Sequence, residues 1–173
     1  MQTRKTGSAL AYNESPMKED ARDTAGVIAP PPLIYLPTLL VGLALHFAFP
    51  VSFLPGYWLQ LAIGLPLIGA SVIVAASALR TMRRAGTDVS VNKPTTAIVM
   101  QGPYQFSRNP IYLSLTLLYF GIAISLNALW VLVLVPIPFA IINLGVIKRE
   151  ERYLEQKFRQ EYTSYKARVR RWL

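Results

Sequence analysis

The chain has 173 residues, 53% of them hydrophobic, with a formal net charge of +9, one histidine and no cysteine. The missing cysteines exclude disulfides, thiolate nucleophiles and cysteine-built metal sites, and the lone His46 excludes a histidine-rich one, so no metal is expected. Every Asp, Glu, Lys and Arg falls within 1–23, 80–108 or 148–171, leaving 24–79 and 109–147 without a charged side chain.

Uncharged stretches of that length specify an all-α integral membrane protein rather than a soluble core. The basic residues flank apolar runs instead of forming a patch on a soluble fold, which argues for the lipid bilayer and against nucleic acid as partner.

Residues 1–26 are polar and mixed in sign, lack the apolar core of a signal peptide, and read as a mobile cytosolic tail. A first span is expected from about Leu33 to Phe49, with His46 as a packed helix residue, and a second from Tyr57 to Leu79. Tyr57 and Trp58 sit where an aromatic belt meets the headgroups, and Gly64, Gly69, Ala70 and Ala75 permit close helix packing. A polar loop covers 80–110. The third span, 111–126, and the fourth, 128–147, are separated by little more than Asn127, and Pro136 and Pro138 should kink the fourth.

From Lys148 the chain becomes charged. Leu154, Phe158, Tyr162, Tyr165 and Val169 recur at helical spacing, so 148–169 is predicted to be an amphipathic helix lying along the membrane surface. The tail, the central loop and the C-terminal segment are basic and the two remaining links are not, which predicts four spans with both termini cytosolic and a single domain over 27–173. The central loop and the last helix then share one face and can build one site.

Three features of that face point to chemistry. Asn109 and Pro110 read as the N-cap and first residue of a helix, and Arg108 beside them would join its free N–H groups in holding an anion. The plainer alternative is an arginine answering headgroup phosphates. Glu150 and Glu151, just past a span, are either a solvated pair among Lys148, Arg149 and Arg152 or a carboxylate site for a cofactor's ammonium or ribose. Tyr104 and Tyr112 could stack on a ligand. No dinucleotide fingerprint, Walker loop or nucleophile elbow is present.

Four blocks in order give the chain its resemblance: Gly102-Pro103-Tyr104; Arg108-Asn109-Pro110-Ile111-Tyr112; Glu150-Glu151-Arg152-Tyr153-Leu154; and the segment from Phe158 to Val169. Together they resemble the membrane methyltransferase family that includes isoprenylcysteine carboxyl methyltransferases and phospholipid N-methyltransferases. The pattern departs in places. Asn109 stands for a histidine common in the isoprenylcysteine enzymes, Arg159 for the glycine after Phe158, and Val146 for a basic residue one turn before the glutamate.

The resemblance implies S-adenosyl-L-methionine as cofactor, contacted by Thr96, Ala97, Ile98, Val99, Tyr104, Asn109, Pro110, Ile111 and Tyr112, with Glu150 as the acidic contact. It implies a lipophilic small-molecule or prenylated acceptor, carboxylate-like or phospholipid-amine-like, with Arg108 or Arg168 positioning it. Two alternatives are an NADPH-dependent sterol or enone reductase, which shares a similar helical core, and a non-catalytic membrane scaffold.

Overall fold

The computed structural model describes residues 24–88 and 94–173; the tail expected over 1–26 lies outside them up to residue 23. Among the described residues every regular element is helical. They are α1 (Pro31–Ala48), α2 (Tyr57–Arg84), α3 (Gly102–Gln105, a short 3-10 turn), α4 (Pro110–Ser125), α5 (Leu129–Leu134), α6 (Pro136–Ile141), α7 (Ile142–Ile147, a π turn) and α8 (Lys148–Arg168). The chain is an α-helical integral membrane protein, as its charge pattern predicts.

Among the described residues three helices are long and apolar enough to cross a membrane: α1, α2, and the rod from Leu129 to Arg168, whose apolar part ends at Ile147. The remaining expected span, α4, has 16 residues and so rises only ~24 Å, less than the ~30 Å hydrocarbon core. The second helix continues five residues beyond the expected Leu79, carrying Arg80, Arg83 and Arg84 on its last turns.

The predicted proline effect takes a specific form. Pro136 and Pro138 supply no N–H, and the rod is divided at Val135 into two six-residue helices followed by the π turn. Nothing stops the helix at Ile147. Ile147 and Lys148 keep helical angles, so the amphipathic helix grows directly out of the span and bends only at Arg159, whose φ is 44° and ψ −115°.

Close packing sets the arrangement of α2 and α4. A Cβ on Gly121 would lie 2.6 Å from Ile68 Cγ1 and 3.0 Å from the Gly64 carbonyl, and one on Gly64 would run into Ser125. Small residues therefore let the two backbones meet, as expected where hydrophobicity cannot drive helix association. α1 packs chiefly on α5, where Gly42 meets Val131, and Tyr35 Oη lies 2.7 Å from Thr116 Oγ1 of α4.

The bundle has two unlike ends. At the uncharged end, Asn127 adopts φ 51°, accepts from the N–H groups of Phe53 and Leu54 at 3.0 Å each, and donates to the Leu54 carbonyl at 3.0 Å. Trp130 Nε1 donates to the Phe49 carbonyl at 2.7 Å. One buried amide thus joins the link between α1 and α2 to the turn between α4 and α5. The opposite end holds the chain before α1, the central loop, α8 and the last five residues; there Arg149 Nη1 donates to the Gly26 carbonyl at 2.7 Å.

Replacing Asn127 by Ala removes three hydrogen bonds and places a residue less suited to positive φ at the turn. We expect a loss of about 2–4 kcal/mol in reversible unfolding in detergent, larger than for Asn127→Gly, which suffers only the lost bonds.

Candidate functional site

A cavity of about 560 Å³ opens at the charged end, within the range of about 300–1,000 Å³ typical of small-molecule sites. One wall is apolar, from Pro30–Pro32 at the start of α1, Ala75, Leu79 and Met82 of α2, and Leu115 of α4. The other wall is polar, from the loop and α8.

The loop is shaped by one glycine and one tyrosine. Gly102 takes φ 59°, and a Cβ there would stand 2.9 Å from Thr81 Oγ1, so the glycine of the Gly-Pro-Tyr segment is needed for both conformation and space. Tyr104, two residues on, is buried and faces the cavity, and its carbonyl accepts a 2.7 Å hydrogen bond from the Tyr165 hydroxyl of α8. The loop and α8 are thereby fastened across the cavity.

The adjacent glutamates have different tasks. Glu151 is buried, with a side chain 7% exposed: Arg171 reaches it through Nε (3.0 Å) and Nη2 (2.6 Å), and Arg108 Nη1 lies 2.9 Å from Oε1. Its carboxylate is consumed by structure. Glu150, which lines the cavity beside Glu151, instead accepts a 2.6 Å hydrogen bond from the Tyr112 hydroxyl and is half-buried, with no cation bound to it among the described residues.

Charge behaviour follows from burial. Loss of solvent pushes the Glu150 carboxyl up to about 7, opposed by the Tyr112 hydrogen bond and assisted by the negative Glu151. Burial also raises the Tyr104 and Tyr165 phenols and pushes Tyr162 up to about 12, so these cavity tyrosines are neutral near pH 7. Arg108, 9% exposed, leaves its Nε without a hydrogen-bond acceptor. The cavity therefore offers the Glu150 carboxylate beside those of Glu151 and Asp88, one incompletely used guanidinium and several aromatic rings.

Ala97, Ile98, Val99, Tyr104, Arg108, Asn109, Pro110, Ile111, Tyr112 and Glu150 all line this cavity. Thr96 and Arg168 do not. Thr96 is exposed and donates to the Gly86 carbonyl at 3.2 Å, and Arg168 is exposed and donates from Nε to the Ser164 carbonyl at 3.2 Å. Asn109 occupies the N-cap position of α4 but does not cap it. Its side-chain Nδ2 donates instead to the Arg171 carbonyl at 3.0 Å. Val146 is fully buried in the core and is not among the lining residues.

Thr87, Asp88, Tyr153, Tyr162 and Tyr165 also line the cavity. Tyr162 and Tyr165 carried a signal, their helical spacing, and it marked an apolar face rather than a site; Tyr153 stood only inside the block that begins at Glu150.

The family model described as phospholipid methyltransferase matches residues 59–161. A protein of Haemophilus influenzae described as uncharacterized is 48% identical over 65 residues, covering 36% of this chain and 100% of the relative. No solved structure matches.

The matched region ends two residues after Arg159, where the bend in α8 turns Tyr162 and Tyr165 toward the cavity. A side chain at φ 44° and ψ −115° is strained, and the residue that fits there is the glycine of the family pattern. We expect Arg159→Gly to stabilise the protein by about 1 kcal/mol, read as a higher unfolding midpoint. Arg159→Ala should leave it nearly unchanged.

Proposed function

Since the chain belongs to the phospholipid methyltransferase family, we propose that it transfers a methyl group from S-adenosyl-L-methionine to a lipid-borne acceptor at the cytosolic face of a membrane. The observation that carries this reading is that Tyr104 and Glu150, from loop and helix, line one cavity of nucleoside size with an apolar wall beside it.

The donor set suits the cofactor. The Glu150 carboxylate matches its ammonium or ribose hydroxyls, Arg108 and the start of α4 match its carboxylate, and the rings of Tyr104 and Tyr112 match a sulfonium. Residues 97–99, Tyr104, Asn109–Tyr112 and Glu150 would hold it. When bound, this cofactor supplies a methyl group activated by positive sulfur. The chain's own part is to orient, to exclude water and to align the acceptor's lone pair for in-line displacement.

Pro30–Pro32, Leu79, Met82 and Leu115 would face the acceptor's hydrocarbon, with its headgroup directed at the polar wall. An amine suits that wall better than a carboxylate, because Val146 is packed into the core and Arg108, shared with Glu151, is reserved in this reading for the cofactor's carboxylate.

Binding of the demethylated cofactor by the detergent-solubilised chain tests it, with a complete absence of binding as the refuting result. Glu150→Gln should weaken binding about tenfold or more, the loss of one charge-assisted contact. The carboxyl titrates near 7 and only its anion favours a cation, so affinity should rise as pH increases through about 7 and fall below it. That step should vanish in Glu150→Gln. Vesicles containing an amine-headed phospholipid should accept radiolabelled methyl, and a prenylated cysteine should not.

A further inference from the structure

The last residues of the chain lie beyond the matched family region, yet their hydrogen bonds converge on the site. The Arg170 carbonyl accepts from the Arg108 N–H at 3.0 Å. The Arg171 carbonyl accepts from Ser107 Oγ at 3.3 Å and from Asn109 Nδ2 at 3.0 Å. Three consecutive loop residues are thus held by two consecutive carbonyls.

The side chains continue the pattern. Arg171 grips both oxygens of the Glu151 carboxylate that Arg108 also approaches. Trp172 stacks on Phe139 of α6 at 5.0 Å with 23° between the rings, and its Nε1 donates to Asn143 Oδ1 at 3.3 Å. The chain leaves α8 at Val169, extended at φ −116° and ψ 131°, and so can run as a strap from helix to loop to span.

Apart from the strap, 107–109 are held by the Ser107 N–H bonding to the Pro103 carbonyl at 3.1 Å and by the Arg108–Glu151 ion pair, while the Tyr165 bond holds the loop further back at Tyr104. Asn109 spends its side chain on the strap rather than on α4, and its own N–H bonds to Ser107 Oγ at 3.2 Å, a group the strap also fixes. A tail that merely covered apolar surface would show Trp172 packing without this set of polar bonds to 107–109 and to Glu151.

We propose that Arg170, Arg171 and Trp172 form a positioning strap for the cofactor site. Their backbone sets the loop that presents Arg108 and Asn109, and the Arg171 guanidinium shares Glu151 so that the carboxylate does not claim Arg108 entirely. None of the three touches the reacting atoms; they act through Arg108 and Asn109. The ligand used to read this role rests on the proposed function above.

Full-length Arg171→Ala, Arg171→Lys and Trp172→Ala variants in detergent test it by two readouts. The first is hydrogen exchange of the Arg108 amide, which needs no ligand. Trp172→Ala and Arg171→Ala should speed exchange at 107–109 at least about tenfold while amides of α2 keep their protection. The second is affinity for the demethylated cofactor, which should fall about tenfold in Arg171→Ala and recover in part in Arg171→Lys.

Uniformly faster exchange along the whole chain would mark a structural role alone and overturn the proposal. So would unchanged exchange and affinity in both alanine variants. If the unaltered protein binds no demethylated cofactor while exchange at 107–109 responds as stated, the strap stands and the methyl-transfer reading fails.

Discussion

The buried carboxylate of Glu151 is the interaction on which the charged end of this molecule depends. A carboxylate immediately past a membrane span is costly to desolvate, and removal of one partner from a buried pair typically destabilises by about 3–5 kcal/mol. Here the carboxylate holds Arg108 of the loop, Arg171 of the terminal segment and, at 3.9 Å, Lys166 of α8. The distant central loop, the end of α8 and the segment that follows it are thereby brought to one point. Because Glu151 is saturated by these cations, its neighbour Glu150 is left with the Tyr112 hydroxyl as its partner and no bound cation among the described residues. A pair of adjacent glutamates is divided between building the site and serving it.

The two ends of the bundle divide labour in a similar way. The uncharged end is closed by amide and indole hydrogen bonds to backbone, which need no ion and suffer little from a nonpolar surrounding. The charged end concentrates titratable groups and irregular backbone around a cavity. Between them, α2 and α4 meet along glycines with almost no side chain intervening, a contact that fixes one cavity wall against the loop. α1 packs elsewhere, chiefly on α5, and contributes only its first prolines to that cavity.

Much of this was legible in the sequence because charge segregation and helical spacing are strong local signals. The uncharged stretches gave the membrane class. The blocks around Tyr104, Asn109 and Glu150 gave residues that line one cavity. What escaped were matters decided by distant partners. Asn109 has the composition of a helix cap, but a carbonyl 62 residues away takes its amide. Thr96 sits among lining residues but points to Gly86. The helix starting at Lys148 carries no stop signal at its beginning, so only the bend at Arg159 shows where it turns. An arginine stands there in a glycine's place, yet the spacing predicts one continuous helix over 148–169. The division between Glu150 and Glu151 had no sequence signal, since it depends on Arg171 folding back.

The wide turn from Ile142 to Ile147 sets the azimuth of everything after it. In an α-helix each residue advances the face by about 100°, and a π turn absorbs extra length without adding a full α step. Glu150 and Glu151 differ by one such step, which separates an acid bonded to the Tyr112 hydroxyl from an acid locked by arginines at the same hollow. The local overwidening therefore works as an angular spacer. Shorten that turn by one residue, and the glutamates would be rotated out of phase with Tyr112 and Arg108, even though every side chain named above was still present.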